Sequence, residues 1–260
     1  MTRTRFALLA ATVLLACATG PSGKQRRGAE VHYDLGVEAL RGGRAQEALR
    51  EFDEALKLND RLADAYLGRG LVYEFGFGKT AEAERDYRRA LQLRPAYPEA
   101  HVGLGNVYLD QLRYDEAIAQ YEMALNDMLY RTPYFAQSNM GWALYKKGET
   151  QKGLDSVRAA VTAAPTFCQG WRTLGEIYEG TGQLERSCDA FAQFAESCPT
   201  VAEAHQRLGR CRAKLGRTEL ARESFSVCVE KSTPGLLRDD CVSFLAKLGG
   251  PPKPPPAPKR

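Results

Sequence analysis

The chain has 260 residues, of which 44% are hydrophobic and 26% charged, and its formal net charge is +4. This composition is typical of a globular protein with a sizeable core, and it excludes collagen-like and disordered chains. The positive charge lies at the two ends, because residues 1–27 and 250–260 hold basic residues and no acidic one. The remaining body has four more acidic than basic side chains, which argues against a nucleic-acid-binding surface.

The N-terminus has the pattern of a bacterial export signal. Arg3 and Arg5 precede a short apolar segment that cannot span a membrane. The segment ends in Leu14-Leu15-Ala16-Cys17, which resembles the lipobox cleaved by the lipoprotein signal peptidase. The resemblance implies that residues 1–16 are a signal peptide and that Cys17 becomes the lipidated first residue. The alternative is ordinary cleavage at Ala16-Cys17-Ala18, which would release a soluble secreted protein.

A lipidated Cys17 would attach the protein durably to a bilayer, since each buried methylene contributes about 0.8 kcal/mol. Residue 18 is Ala and not the Asp that retains many such lipoproteins at the inner membrane. The resemblance therefore implies a lipid-anchored protein of the Gram-negative outer membrane that faces the periplasm. Residues 17–28 are predicted to carry the lipidated cysteine and a short, flexible, basic tether.

A period close to 34 residues fills the middle of the chain. A glycine recurs at this spacing, followed after about twelve residues by a small residue and four residues later by a bulky apolar one. These glycines are Gly36, Gly70, Gly105, Gly141, Gly175 and Gly209. The pattern resembles the tetratricopeptide repeat, a pair of antiparallel helices A and B that cross closely at the small residues. It implies an all-α, right-handed superhelical solenoid.

Six repeats are predicted over residues 29–235. Their approximate boundaries are 29–62, 63–97, 98–133, 134–167, 168–201 and 202–235. Two insertions interrupt the period: Phe75–Gly78 is predicted to lengthen the turn of the second repeat, and Asp127–Pro133 the loop after the third.

Two segments follow the last repeat. Residues 236–248 are amphipathic and suit a helix that caps the final apolar face. Residues 249–260 form a low-complexity tail with six prolines, which favours an extended, solvated segment. The alternative is that this tail is a ligand for a partner groove or an attachment to the cell wall.

The sequence contains no pattern typical of catalysis. His32, His101 and His205 share one repeat position, which holds Tyr66 and Trp171 in other repeats, so a packing role is predicted. No phosphate-binding loop, hydrolase motif or metal-ligand motif is present, and the carboxylates lie among lysines and arginines on helix faces. We therefore predict neither an enzyme nor a metal, cofactor or small-molecule site.

Six cysteines follow the fourth repeat, and an even number in an exported protein suggests disulfides. Repeat geometry favours three pairs. Cys168 and Cys198 lie at one end of the fifth hairpin, helix B with Cys188 meets the next helix A with Cys211, and Cys228 lies near Cys241 of the capping helix. The alternative is free, buried thiols; a zinc site is less favoured because no Cys-x-x-Cys pair is present.

In the repeat family, helix A residues three before, one after and four or five after the glycine line a concave face. The resemblance therefore implies a partner-binding groove, apolar in repeats one to four. The candidates are Tyr33, Val37, Leu40, Leu67, Leu71, Phe75, Val102, Asn106, Leu109, Ser138, Trp142 and Tyr145, with Phe77 in the lengthened turn. Repeat five places Arg172, Glu176 and Glu179 at these positions. The alternative is that the tether, the tail or the next helix covers this strip.

A lipobox followed by six repeats resembles the outer-membrane pilotins of type IV pilus systems, the Tgl/PilF/PilW family, as does the segment Thr132–Gly141. The cysteines and the proline-rich tail depart from that family. The resemblance implies that the protein binds the pilus secretin and promotes its insertion and oligomerisation. The alternative is a lipoprotein scaffold for envelope enzymes such as peptidoglycan hydrolases, whose basic surface the acidic body would hold.

Overall fold

The computed structural model describes residues 20–250, and within them the chain is helical and contains no strand. The predicted signal peptide, Cys17 and residues 251–260 of the tail lie outside the described residues. The helices form six antiparallel pairs and a final single helix, as expected for a tetratricopeptide solenoid. They are α1 (Gly23–Arg41), α2 (Ala45–Leu58), α3 (Ala63–Leu71), α4 (Thr80–Leu93), α5 (Pro98–Asp110), α6 (Tyr114–Leu125), α7 (Pro133–Lys147), α8 (Thr150–Ala163), α9 (Cys168–Gly180), α10 (Leu184–Ser197), α11 (Ala202–Lys214), α12 (Thr218–Lys231) and α13 (Leu236–Lys247).

The recurring glycines let an aromatic ring of helix B pack directly on helix A. A Cβ atom on Gly70 would lie 2.6 Å from the ring of Tyr87, and one on Gly103 would lie 2.7 Å from the same ring. Tyr87 is thus held between α3 of its own repeat and α5 of the next. Phe52, Tyr121, Phe191 and Phe225 are also almost completely buried, so the same contact recurs along the stack.

The first helix begins earlier than the sequence predicts. The hydroxyl of Ser22 accepts a hydrogen bond from the backbone N–H of Gln25 at 3.3 Å, and the Gln25 side chain accepts one from the backbone N–H of Ser22 at 2.8 Å. This capping box satisfies two backbone donors at the helix start. The expected tether is therefore wrong for residues 23–28, which are helical.

The extra residue of the second repeat lies inside helix A and not in the turn. After α3, residues Val72–Gly76 form a π-helical turn, which accommodates one more residue than an α-helical turn. The prediction of a lengthened turn is wrong in this respect. The π turn leaves Phe75 70% exposed.

The second insertion does form a loop, between α6 and α7. Tyr130 is buried in it, whereas Met128 and Leu129 are exposed.

None of the helices in residues 20–250 has both the length and the apolar character needed to cross a membrane.

Three disulfides lie between Cys168 and Cys241. They join Cys168 to Cys198, Cys188 to Cys211 and Cys228 to Cys241, with Cα–Cα distances of 6.0, 5.5 and 6.3 Å, and these are the pairs named from repeat geometry. The first closes the hairpin of repeat five, the second links repeats five and six, and the third attaches α13. The Phe244 ring of α13 stacks on Phe225 with centroids 4.9 Å apart, so this helix covers the end of the solenoid.

Candidate partner-binding groove

The helices A of repeats two to five line a groove of about 800 Å³. Seven of the candidate groove residues named from the sequence line it, six of them apolar and one, Asn106, polar. They are Leu67, Leu71, Phe75, Val102, Asn106, Leu109 and Trp142. They meet because the rise and period of an α-helix bring residues one turn apart to the same face.

The other named candidates lie elsewhere. Tyr33, Val37 and Leu40 pack against the Phe52 cluster of repeat one, and Tyr145 packs against the cluster around Val157 and Ile177. The remaining two are outside the groove lining as well: Phe77 is partly exposed and Ser138 is completely buried. The groove therefore begins at the second repeat, where Leu67 and Leu71 are its first lining residues.

Further lining residues were not named from the sequence. They are Glu74, Glu99, Gly103, Asp110, Tyr130, Phe135, Asn139, Gln169 and Thr173. Arg172 and Glu176, which were named from the sequence as charged positions of repeat five, also line the groove. Most of the residues not named from the sequence lie two or six residues before the repeat glycine, or four or five after it. Extending the helical period one turn toward the start of helix A would have identified Glu99, Phe135 and Gln169.

A row of hydrogen-bonded polar side chains runs along the groove. Tyr121 Oη donates to Asn106 Oδ1 at 2.9 Å, and Asn139 Nδ2 donates to the same oxygen at 2.8 Å. Gln169 Nε2 in turn donates to Asn139 Oδ1 at 2.9 Å. Side chains of α5, α7 and α9 are thereby joined, so the relative position of three successive helices A is set by direct contact.

Glu74 continues this row on the side of repeat two. Burial raises its pKa to about 7, although hydrogen bonds from Tyr87 and Asn106 act in the opposite direction; the nearby charge of Asp110 adds to the increase. Tyr87 Oη donates to Glu74 Oε2 at 2.5 Å, and burial with the adjacent carboxylate raises the pKa of that phenol. The carboxyl group therefore keeps its proton to a higher pH than an ordinary glutamate does.

The groove changes character in repeat five, where its charged side chains are already paired. Arg207 of α11 contacts Glu176 at 2.9 Å and Glu203 at 2.8 Å. Arg172 lies 3.7 Å from Glu203, and Lys214 contacts Glu179 at 2.5 Å. Burial raises the pKa of Glu176 despite these arginines. One polar atom at this end still lacks a partner, since Arg172 Nε is buried and forms no hydrogen bond within residues 20–250.

The histidines serve the fold and lie outside the groove. His101 Nε2 lies 3.0 Å from the carbonyl of Pro95, and His205 Nε2 lies 3.0 Å from the carbonyl of Pro199. Trp171 donates to the Pro165 carbonyl at 2.7 Å from the same repeat position. Among residues 20–250, no group of histidine, cysteine and carboxylate side chains is arranged to hold a metal ion.

Three segments match family models for the tetratricopeptide repeat: residues 33–76, 74–128 and 203–232. Together with the helix pairs and the ring-to-glycine contacts, these matches show that the chain is a tetratricopeptide-repeat solenoid. Proteins with such repeats mediate protein–protein interactions. A comparison with curated proteins finds no match.

Solved structures with the same fold match over most of the chain. PilW, described as a widely conserved type IV pilus biogenesis factor, is 22% identical, with a TM-score of 0.72 over 81% of this chain and 96% of its own. PilF of Pseudomonas aeruginosa is 16% identical, with a TM-score of 0.68 over 86% of this chain and 99% of its own. Cut9 in the APC/C Cut9–Hcn1 complex is 15% identical, with a TM-score of 0.70, but the match spans 43% of that chain. At these identities the likeness shows the fold alone.

Proposed function

We propose that this protein is an outer-membrane lipoprotein that binds subunits of a type IV pilus secretin and promotes their insertion and oligomerisation. The observation that carries the proposal is the open groove of repeats two to five, in which Leu71, Val102 and Trp142 line an apolar wall. Such a surface suits an apolar segment of a client that has not yet reached its final position. The likeness to PilW and PilF, which spans nearly their whole length, supports a role in pilus biogenesis.

The proposed mechanism needs a groove and an anchor. A lipid on Cys17 would hold the groove close to the bilayer, which raises its effective concentration for a client at the same membrane. The groove covers the client's apolar segment until contacts between subunits or with lipid replace it. Burial of that segment in the finished pore supplies the driving force for release.

The test is the state of the secretin in cells that lack this protein. We expect the detergent-resistant secretin multimer to disappear from outer-membrane extracts while the monomer remains. Leu71→Ser and Trp142→Ala should reproduce the loss, because both side chains line the groove. Met123→Ser is the matched control, since Met123 is an exposed apolar residue of α6 outside the groove.

If the multimer forms normally without this protein, the pilus proposal is wrong. Crosslinking from position 142 to envelope enzymes such as peptidoglycan hydrolases would then test the scaffold alternative. The anchor is tested separately with Cys17→Ser. We expect this change to remove the protein from the outer-membrane fraction, whereas unchanged outer-membrane association would contradict lipidation at Cys17.

A further inference from the structure

The polar row crosses the groove on a regular diagonal. Glu74 follows its repeat glycine by four residues and Asn106 follows its own by one, whereas Asn139 precedes its glycine by two and Gln169 by six. Each step from one helix A to the next thus moves the polar position back by about one helical turn. Hydrogen bonds join Asn106, Asn139 and Gln169, so these three positions form a continuous line.

Apolar side chains lie on both sides of this line. In α5, Val102 is four residues before Asn106 and Leu109 is three after it. In α7, Phe135 is four residues before Asn139 and Trp142 is three after it. In repeat two, Leu71 lies three residues before Glu74 and Phe75 directly after it, whereas the lining residues beside Gln169 in repeat five are polar. Over repeats three and four, the groove therefore consists of a polar line between two apolar strips.

An extended segment fits this pattern and a helical one does not. Successive side chains of an extended chain point to opposite sides, and its main-chain N–H and C=O groups need partners along its length. Two apolar strips receive those side chains, and the amides of Asn106, Asn139 and Gln169 have hydrogen-bonding capacity for the main chain. A helix satisfies its own backbone and presents one apolar stripe, which would cover the polar line without bonding to it.

The two ends of the groove carry different charges, which favours one orientation of a bound segment. Glu74, Glu99 and Asp110 line the groove in repeats two and three, and none of them forms an ion pair with another group in the described residues. The only lining arginine, within the part of the chain that the structure describes, is Arg172 at the opposite end, beside Glu203. A cationic side chain is therefore favoured over repeats two and three and not over repeat five.

We propose that the groove binds an extended segment of alternating apolar residues, with its main chain along the polar row and a lysine or arginine against Glu74 and Asp110. The proposal rests on the proposed function only in taking this groove as the client site. Neighbouring helices lie about 8–10 Å apart, so the row suits about nine extended residues at roughly 3.3 Å each.

Selection from a library of random nonapeptides on the full chain tests this proposal. We expect enriched peptides to alternate apolar residues and to carry lysine or arginine near one end. Apolar residues at helical spacing, acidic peptides or a lack of enrichment would each overturn it. The enriched sequence is then synthesised, and its affinity is measured against variants of the protein that keep the wild-type melting temperature.

Matched variants separate the two parts of the proposal. Asn139→Ala and Gln169→Ala should each weaken binding about fivefold, and so should methylation of peptide nitrogens that face the row. Asn126→Ala, on the exposed end of α6, should have no effect. Replacing the peptide's lysine with glutamine should weaken binding about tenfold in the wild type and far less in Glu74→Gln with Asp110→Asn.

This test and the secretin assay fail independently. An extended cationic motif found together with a normal secretin multimer in the deletion strain would sink the proposed function and leave the inference in place. Loss of the multimer together with a helical or acidic motif would do the reverse.

Discussion

Repeats two to four and repeats five and six are built from the same helix pair, yet they use their inner surfaces differently. In the earlier repeats, Leu71, Val102 and Trp142 line an open groove. In the later ones, Arg207 pairs with both Glu176 and Glu203, so these charges are paired within the protein, while Gln169 and Arg172 of repeat five still line the end of the groove. The comparison teaches that the same repeat pattern can form an open groove or an inner surface of paired charges. A few side chains of helix A decide which of the two forms.

The two regions also differ in what joins neighbouring repeats. Repeats one and two are linked by Arg69, whose guanidinium donates to Asp86 at 2.7 and 2.8 Å and to Asp53 at 2.7 Å. Repeats five and six are linked covalently by Cys188 and Cys211. A solenoid is stabilised by contacts between nearest neighbours, so each link protects the repeats beside it more than distant ones.

Reduction of the disulfides should produce the largest difference in local stability between the two regions. Each disulfide contributes about 2–4 kcal/mol, and all three lie between α9 and α13. We expect a reductant to accelerate amide hydrogen exchange from α9 onward and to leave α2–α6 protected. Thiol alkylation without reductant is the control and should change nothing. Equal acceleration in all six repeats would show that the disulfides do not stabilise one region selectively.

Arg69→Ala should have a large effect in the N-terminal region. Asp86 is only 5% exposed, and losing its partner leaves a buried carboxylate unpaired, at a cost of about 3–5 kcal/mol. Urea denaturation measures the free energy of unfolding. Arg113→Ala is the control, because its pair with Glu116 is exposed to solvent, and it should change that energy much less. Similar losses in the two variants would contradict a special role for the buried pair.

Trp142→Ala should weaken binding of a groove-selected peptide about 30-fold, as expected for an aromatic anchor. Arg207→Gln, in the region whose charges are already paired, should change the affinity by less than about twofold. Isothermal titration calorimetry on both variants provides the measurement. A larger loss with Arg207→Gln would move the binding site to repeats five and six.

A smaller effect follows from the pKa of about 7 at Glu74. The titratable groups around this carboxyl are Tyr87 from α4, Asp110 from α5 and Tyr121 from α6. A bound cation favours the carboxylate and lowers this pKa, so affinity for a lysine-bearing peptide should increase as pH rises from 6 to 8. The increase should stay under about tenfold and should vanish in Glu74→Gln. An affinity that falls over this interval would contradict the assigned contact.

Much of the architecture is predictable because local chemistry enforces it. The recurring glycine and the ring sixteen or seventeen residues later predict helix pairs, since only a missing side chain allows Tyr87 to approach α3. The same period places Cys188 and Cys211 on facing helices. It also identifies Val102, Asn106 and Leu109 as one helix face, because an α-helix repeats every 3.6 residues.

Other features depend on contacts between distant parts of the chain. The π turn at Val72–Gly76 has no sequence pattern that distinguishes it from a longer loop, since packing decides where an extra residue is accommodated. Tyr33, Val37 and Leu40 have the groove positions of their repeat, yet they lie outside the groove lining and pack against the core around Phe52.

The sequence by itself therefore determined the repeat, the helix pairs and the faces that the helices present, because each of these follows from spacing within one hairpin. Only the tertiary structure decided where the groove begins and how Glu74, Asn106, Asn139 and Gln169 come into line. Their alignment depends on the stagger between successive helices A, which results from the packing of whole repeats and from no single segment of the chain.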